Sequence, residues 1–344
     1  RPVASRNLAN DVDDEVVDAL VSAVSSRNAD LSHRYYAMKA GWMGVDKLDW
    51  WDRNAPLPGD DDRQFSWPEA ERIVLDAFNG FDPEMAATAQ PFFERNWIDA
   101  APRPGKSSGA FSHPVTPSAH PYILMNFAGK SRDVMTLAHE MGHGVHQCLA
   151  AANGYLMSDT PLTLAETASV FAEMLAFRQL VDSAEDAKTR RVLLAGKIED
   201  MLNTVVRQIA FHNFETAFHA ARGDGELTAE EISDVWMDTQ RAALGPAIRI
   251  GDDYRPIWGY IPHFVHTPFY VYAYAFGDCL VNALWQSFQT AKAAGLSGDF
   301  VAKYKNLLCA GGTERYDVAL AKFGLDAHQP AFWSLGLDMI SGMI

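Results

Sequence analysis

A chain of 344 residues, 48% hydrophobic and 21% charged, can build a large core and has the composition of an ordinary globular protein. Its formal net charge of −15, with no Lys/Arg-rich run, repels phosphate and argues against nucleic acid as a partner. Its longest apolar stretches are broken by Glu166, Glu173 or Asp278 short of the roughly 18 to 20 residues that span a bilayer, which argues against a membrane role.

Taken in order, the chain predicts a mainly α-helical fold with one small sheet. A first helix is expected from Asn10 or Asp11, where Val12, Val16, Val17, Leu20 and Val24 recur at helical spacing behind acidic Asp13, Asp14 and Glu15. A second runs from Ser32 to Met43, with Tyr35, Tyr36, Trp42, Trp50 and Trp51 read as core. The stretch Asp52 to Gln64, with Pro56, Pro58, Gly59 and an acidic run, reads as an exposed loop. It divides an N-terminal helical segment, 1–65, from a larger domain, 66–344.

Ser66-Trp67-Pro68-Glu69 has capping-box spacing and opens a helix that Asn79-Gly80 closes; another follows from about Pro83 to Glu94. Gly109-Ala110-Phe111-Ser112 and Pro121 to Phe127 read as short strands, flanked by His113 and His120 as loop residues. Such strands are either an ordinary hairpin or an edge on which an extended peptide pairs.

Ser131 to Leu149 then reads as a helix carrying His139-Glu140-Met141-Gly142-His143. Histidines four apart share a face, so one divalent ion can be held by both rings while Glu140 reaches a metal-activated water. Apolar Val134, Leu137, Ala138, Met141, Val145 and Leu149 anchor the helix in a core, so these polar groups are carried inward and need partners. A catalytic zinc takes a third protein ligand. The extended motif with Gly at 146 and His at 149 is absent, since His146 and Leu149 stand there. A second helical pattern, Thr160 to Glu173, has Pro161 placed for its first turn and offers Glu166 as the third ligand. Two alternatives stay open: Thr163 to Glu166 also spells a capping box, and Glu173 competes as ligand or orients a ligating imidazole.

Asp186 to Arg222 supports one or two long helices, with His212 and His219 as packing residues, and Thr228 caps a further helix that ends before Gly245-Pro246. Gly251 to Gly277 starts irregular and becomes helical at Thr267-Pro268, carrying Tyr270, Tyr272 and Tyr274. Phenol and imidazole groups of this kind can donate to a developing oxyanion, or a crowd of tyrosines simply fills space. Ser287 to Ile344 reads as short structural helices. Cys148, Cys279 and Cys309, an odd and scattered set, fit free thiols in the cytoplasm better than disulfides. The first residues, Arg1 to Arg6, have no secretory apolar region, and because the chain does not begin with Met an upstream segment is expected to have been removed.

Together His139 to His143 and Ala165-Glu166-Thr167-Ala168-Ser169 resemble the thimet oligopeptidase and oligoendopeptidase F family of zinc peptidases. Gly109-Ala110-Phe111, Pro121 to Asn126, Pro262-His263-Phe264 and Phe269 to Ala275 agree, the last being most similar to the oligoendopeptidase F branch. The resemblance, from about Tyr35 to Trp333, implies a zinc-dependent endopeptidase acting in the breakdown of short peptides, with one Zn2+ on His139, His143 and Glu166 and with Glu140 as general base. It implies His263 and Tyr272 as oxyanion donors, with His266 and Tyr270 as close alternatives that contact substrate. Family members are usually longer, with an N-terminal lobe, so a missing lobe or a homo-oligomer is an expected partner. A dipeptidyl carboxypeptidase resembling angiotensin-converting enzyme is the enzymatic alternative, and a peptide-binding protein with a structural zinc the non-enzymatic one.

Overall fold

The structure, a computed structural model, describes residues 3–57, 63–160 and 162–344, so the expectations placed on Pro58, Gly59 and Pro161 lie outside the described residues. It is mainly helical with a small sheet ahead of helix Ser131–Ala150, the class the sequence predicts. By its internal contacts the chain divides into two compact units, one of residues 61–193 with 284–326, the other of 1–60, 194–283 and 327–344.

In the unit that holds the H-E-x-x-H sequence, helix Trp67–Phe81 starts at the predicted capping box: the Glu69 carboxylate accepts from the Ser66 N–H at 2.8 Å. Helix Pro83–Glu94 follows, capped by Asp82. The sheet has Tyr122–Leu124 at its centre, parallel to Ile98–Asp99 and antiparallel to Phe111–His113, with Ser112 opposite Ile123. Two-residue Ile98–Asp99 carries no alternation and was not legible as a strand.

Helix Ser131–Ala150 begins where the Asp133 carboxylate takes the N–H groups of Ala128 and Lys130 at 2.8 and 3.0 Å. It packs closely on helix Leu162–Asp182. The approach requires Gly142, because a Cβ there would stand 2.5 Å from the Ala168 carbonyl oxygen. Behind the pair lies a ring cluster in which Phe171 contacts Phe81, Trp285, Phe288 and Tyr304, and the Tyr304 hydroxyl donates to the Thr167 carbonyl at 2.9 Å.

In the other unit the first helix is Ala4–Ala9 and the next Asp14–Ser26, not one helix from Asn10. Asp11 takes φ +51 and Asp13 is extended, which interrupts the helix between them. Phe211, Phe214, Trp236, Met237, Tyr254, Ile261 and Val271 form a core cluster. Tyr35 and Tyr36 are buried as expected, whereas Trp51 is exposed. Lys39, wholly buried, is held by Glu199 at 2.6 Å and by the Arg53 carbonyl at 2.8 Å. A parallel pair, Leu48–Asp49 with Ile248–Arg249, adds a second small sheet.

The tyrosine helix begins at Tyr272 and runs to Ala293, five residues later than Thr267-Pro268 suggested. Residues 267–271 are held out of the helix from a distance. Arg6 Nε donates to the Pro268 carbonyl at 3.1 Å, the Phe269 N–H donates to Glu215 at 2.8 Å, and Phe269 takes φ +60.

Candidate active site

Helix geometry brings the first candidate ligands together. His139 and His143 share a face of helix Ser131–Ala150 with ring centroids 5.1 Å apart. Glu166, from helix Leu162–Asp182, sets Oε2 3.5 Å from each Nε2. One ligand atom from each of the three lies within 4.8 Å of the others, and this is the one such His/Cys/Asp/Glu group among the described residues. Ligands at about 2.0 to 2.2 Å around a tetrahedral zinc stand about 3.3 to 3.6 Å apart. Both Glu166 distances already match that spacing, and two imidazoles with a carboxylate are donors that zinc takes, so the residues fit such an ion. The capping-box reading of Glu166 is superseded, because its carboxylate faces the histidines and accepts from Ser169 Oγ at 2.6 Å.

Glu173, two turns beyond Glu166, places Oε2 3.3 Å from His139 Nδ1. With Nδ1 protonated, that bond fixes the tautomer and leaves Nε2 as the ligand atom. Burial pushes the His139 pKa down, but the Glu173 hydrogen bond and the charges of Glu173, Glu166 and Glu140 outweigh it and leave it raised. His143 moves the opposite way, its protonated form disfavoured chiefly by burial. A neutral His143 is the form a metal takes.

Glu140 is 6% exposed, and burial raises its pKa to about 6. It borders a cavity of about 1060 Å³ with His139, His143 and Glu166 on its wall and Phe111, Tyr155 and Leu156 among its lining. Tyr155 and Leu156 are 72% and 87% exposed, so the polar cluster sits beside apolar side chains open to solvent. His146 is buried next to Thr160 rather than added to the ligands.

In the other unit, His263 Nε2 lies 3.3 Å from the Tyr274 hydroxyl, and its ring stacks at 6.1 Å on Tyr270, which meets Tyr274 at 5.3 Å. His266 is exposed on the same short helix, His263–His266. Tyr272 turns away. It is 0% exposed, its hydroxyl accepts from Asn10 Nδ2 at 2.9 Å, and its ring packs on His212. The side chain that the resemblance marks as a donor is therefore sealed in a core, and Tyr274, 38% exposed, is the tyrosine beside His263. Helical spacing was no guide here, because Tyr270 lies outside the helix that begins at Tyr272. His212 and His219 pack against Phe269, as read from the sequence.

Comparison with known proteins decides the family, since residues 1–339 match the profile of Peptidase family M3. The chain belongs to family M3. It is similar to the oligopeptidase PepF of Bacillus subtilis (31% identical over 323 residues, 93% of this chain and 47% of that protein). It is also similar to the oligoendopeptidase F homologue of Lactococcus lactis (28% over 340 residues, 98% and 55%). Among solved structures, a Chlamydophila abortus protein superposes with TM-score 0.84 at 25% identity, covering 99% of this chain and 57% of that one. The oligoendopeptidase-F of Enterococcus faecium shares the fold, with TM-score 0.70 at 23% identity over 97% and 53%. The M3 chain thus spans about half the length of the curated relatives it matches. Among its described residues, no helix is long and apolar enough to cross a membrane.

Proposed function

We propose that this M3 chain carries the catalytic centre of a zinc-dependent oligopeptidase that cleaves bonds within short peptides. The observation that supports this most is the cluster of His139, His143 and Glu166 with Glu140 on the same cavity wall. When bound there, zinc supplies Lewis acidity that brings a water toward pKa about 7 and polarises the scissile carbonyl.

Glu140 takes the proton of the attacking water and passes it to the departing amine. Burial raises the affinity of the Glu140 carboxylate for a proton, which suits a group that takes one from water. Glu173 orients His139, and Ser169 holds the Glu166 carboxylate. The oxyanion donors are assigned to His263 and Tyr274, in place of Tyr272, on the grounds of exposure and mutual contact. The exposed side chains of Phe111, Tyr155 and Leu156 on the cavity wall support peptides with apolar side chains as substrates. The three free cysteines fit a reducing compartment such as the cytoplasm.

Mass-spectrometric mapping of products from a peptide library of mixed lengths, with and without a chelator, tests the reading. Internal cleavage that stops with chelation and persists on peptides with a blocked C-terminus is expected. Cleavage indifferent to chelator sinks the zinc assignment, and loss of cleavage on C-terminal blocking favours a dipeptidyl carboxypeptidase.

A further inference from the structure

The peptide unit that joins Pro268 to Phe269 is gripped at both ends. Arg6 Nε donates to its carbonyl, that of Pro268, at 3.1 Å, and its N–H, that of Phe269, donates to Glu215 Oε1 at 2.8 Å. Because a peptide unit is planar, a hold on both ends fixes ψ of Pro268 and φ of Phe269 together. Phe269 takes φ +60, a conformation disfavoured for a residue with a Cβ, and such backbone persists only where the surroundings impose it. Both holders are themselves anchored. Arg6 lies on helix Ala4–Ala9, next to Asn7, which donates to Asp14 Oδ1 at 2.7 Å, and about one turn from Asn10, which donates to the Tyr272 hydroxyl at 2.9 Å. Glu215 is buried on helix Val206–Gly223.

Tyr270, the residue after this clamped unit, carries the ring on which the candidate donors rest. Its ring stacks at 6.1 Å on His263 and meets Tyr274 at 5.3 Å, and the Arg6 guanidinium carbon lies 5.9 Å from its centroid. We propose that Arg6 and Glu215 are positioning residues for His263 and Tyr274: they fix the Pro268–Phe269 peptide, and through it the Tyr270 ring between Arg6 and the two donors. The proposal rests on the peptidase reading and deepens it. A change in φ of Phe269 swings the residue that follows, and the Tyr270 ring with it. An oxyanion donor helps only when its proton is aimed where charge develops, so a displaced pair costs turnover rather than substrate binding.

Arg6→Met keeps an apolar stem and removes the donor and the charge. At unchanged metal content it is expected to lower kcat by about tenfold, with KM within about twofold. In a Tyr274→Phe background the further loss should shrink to under about twofold, because a donor already removed cannot be misplaced. Glu215→Gln keeps an acceptor for the Phe269 N–H and should lose under about threefold, whereas Glu215→Leu should match Arg6→Met. Hydrogen exchange reads the clamp without turnover: the Phe269 amide should exchange at least about tenfold faster in Arg6→Met and in Glu215→Leu. A parent-like kcat in Arg6→Met, a rise in KM in place of the loss in kcat, the same loss again on top of Tyr274→Phe, or unaltered Phe269 exchange would each overturn the proposal. If Glu215→Leu does not fold, Arg6→Met, at the half-buried end of the clamp, decides by itself. A parent chain with no chelator-sensitive hydrolysis sinks the peptidase reading instead, and the exchange measurement still decides whether Arg6 and Glu215 hold the peptide.

Discussion

The helices Ser131–Ala150 and Leu162–Asp182 and the segment from His263 to Tyr274 arrange candidate site residues in two different ways. In the helix pair, His139, Glu140 and His143 are placed by the helical period, and one close approach at Gly142 delivers Glu166. In the segment, position depends on residues far along the chain: Arg6 on Pro268, Glu215 on Phe269 and Asn10 on Tyr272. A candidate ligand set built on regular elements is rigid by construction. A donor set on irregular backbone is only as fixed as its remote anchors.

The largest effect should come from Glu140→Gln, which removes the proposed base and leaves the proposed ligands. It is expected to retain zinc by elemental analysis and to lose on the order of a thousandfold in kcat on a quenched peptide. Near-parent turnover would break the local half of the comparison. Next, Tyr274→Phe should lower kcat by about a hundredfold while Tyr272→Phe changes only stability, by about 1 kcal/mol. If the two swap, with Tyr272→Phe silencing turnover and Tyr274→Phe neutral, the exposure argument fails.

Glu173→Ala, which frees His139 Nδ1, should weaken zinc affinity by about tenfold to a hundredfold in competition with a chelator. An unchanged affinity would remove Glu173 from the site. The last effect is on stability and depends on pH, away from the ligand cluster. Burial raises the Glu215 pKa to about 7 from 4.5, so the native state keeps a proton that the unfolded state releases first. Its contribution is full below pH 4.5 and is lost as pH rises through 7, up to about 3 kcal/mol. Glu215→Gln should lack this loss in denaturation measured between pH 4.5 and 8; an identical pH dependence in both chains would show that Glu215 does not anchor Phe269 as a buried acid.

The strand segment shows where sequence reasoning stops. Phe111 to His113 was legible as β, but whether its edge stood open to a peptide depended on which way Ser112, held by Gln147, pointed. That followed from Trp97 pairing with Ile123 across a two-residue strand with no pattern of its own. Glu166 and Glu173 were both candidate ligands on one helix face; the packing against His139 and His143 separated their roles. The tyrosines at 270, 272 and 274 could have been sorted by periodicity only if the helix start had been known, and Glu215 and Arg6 set that start.

Sequence alone determined the chemistry on offer, because i,i+4 histidines, a glutamate between them and an apolar helix face are local properties that survive in any tertiary setting. Tertiary structure decided which groups face one another: Glu166 between the paired imidazoles and Glu173 against His139 alone, Tyr274 rather than Tyr272 beside His263, Ser112 held by Gln147. Those choices turn on contacts between residues up to 262 positions apart, as for Arg6 with Pro268. No spacing rule reaches that far, because the direction of a side chain at such a distance is set by packing and backbone hydrogen bonds rather than by its neighbours in the chain.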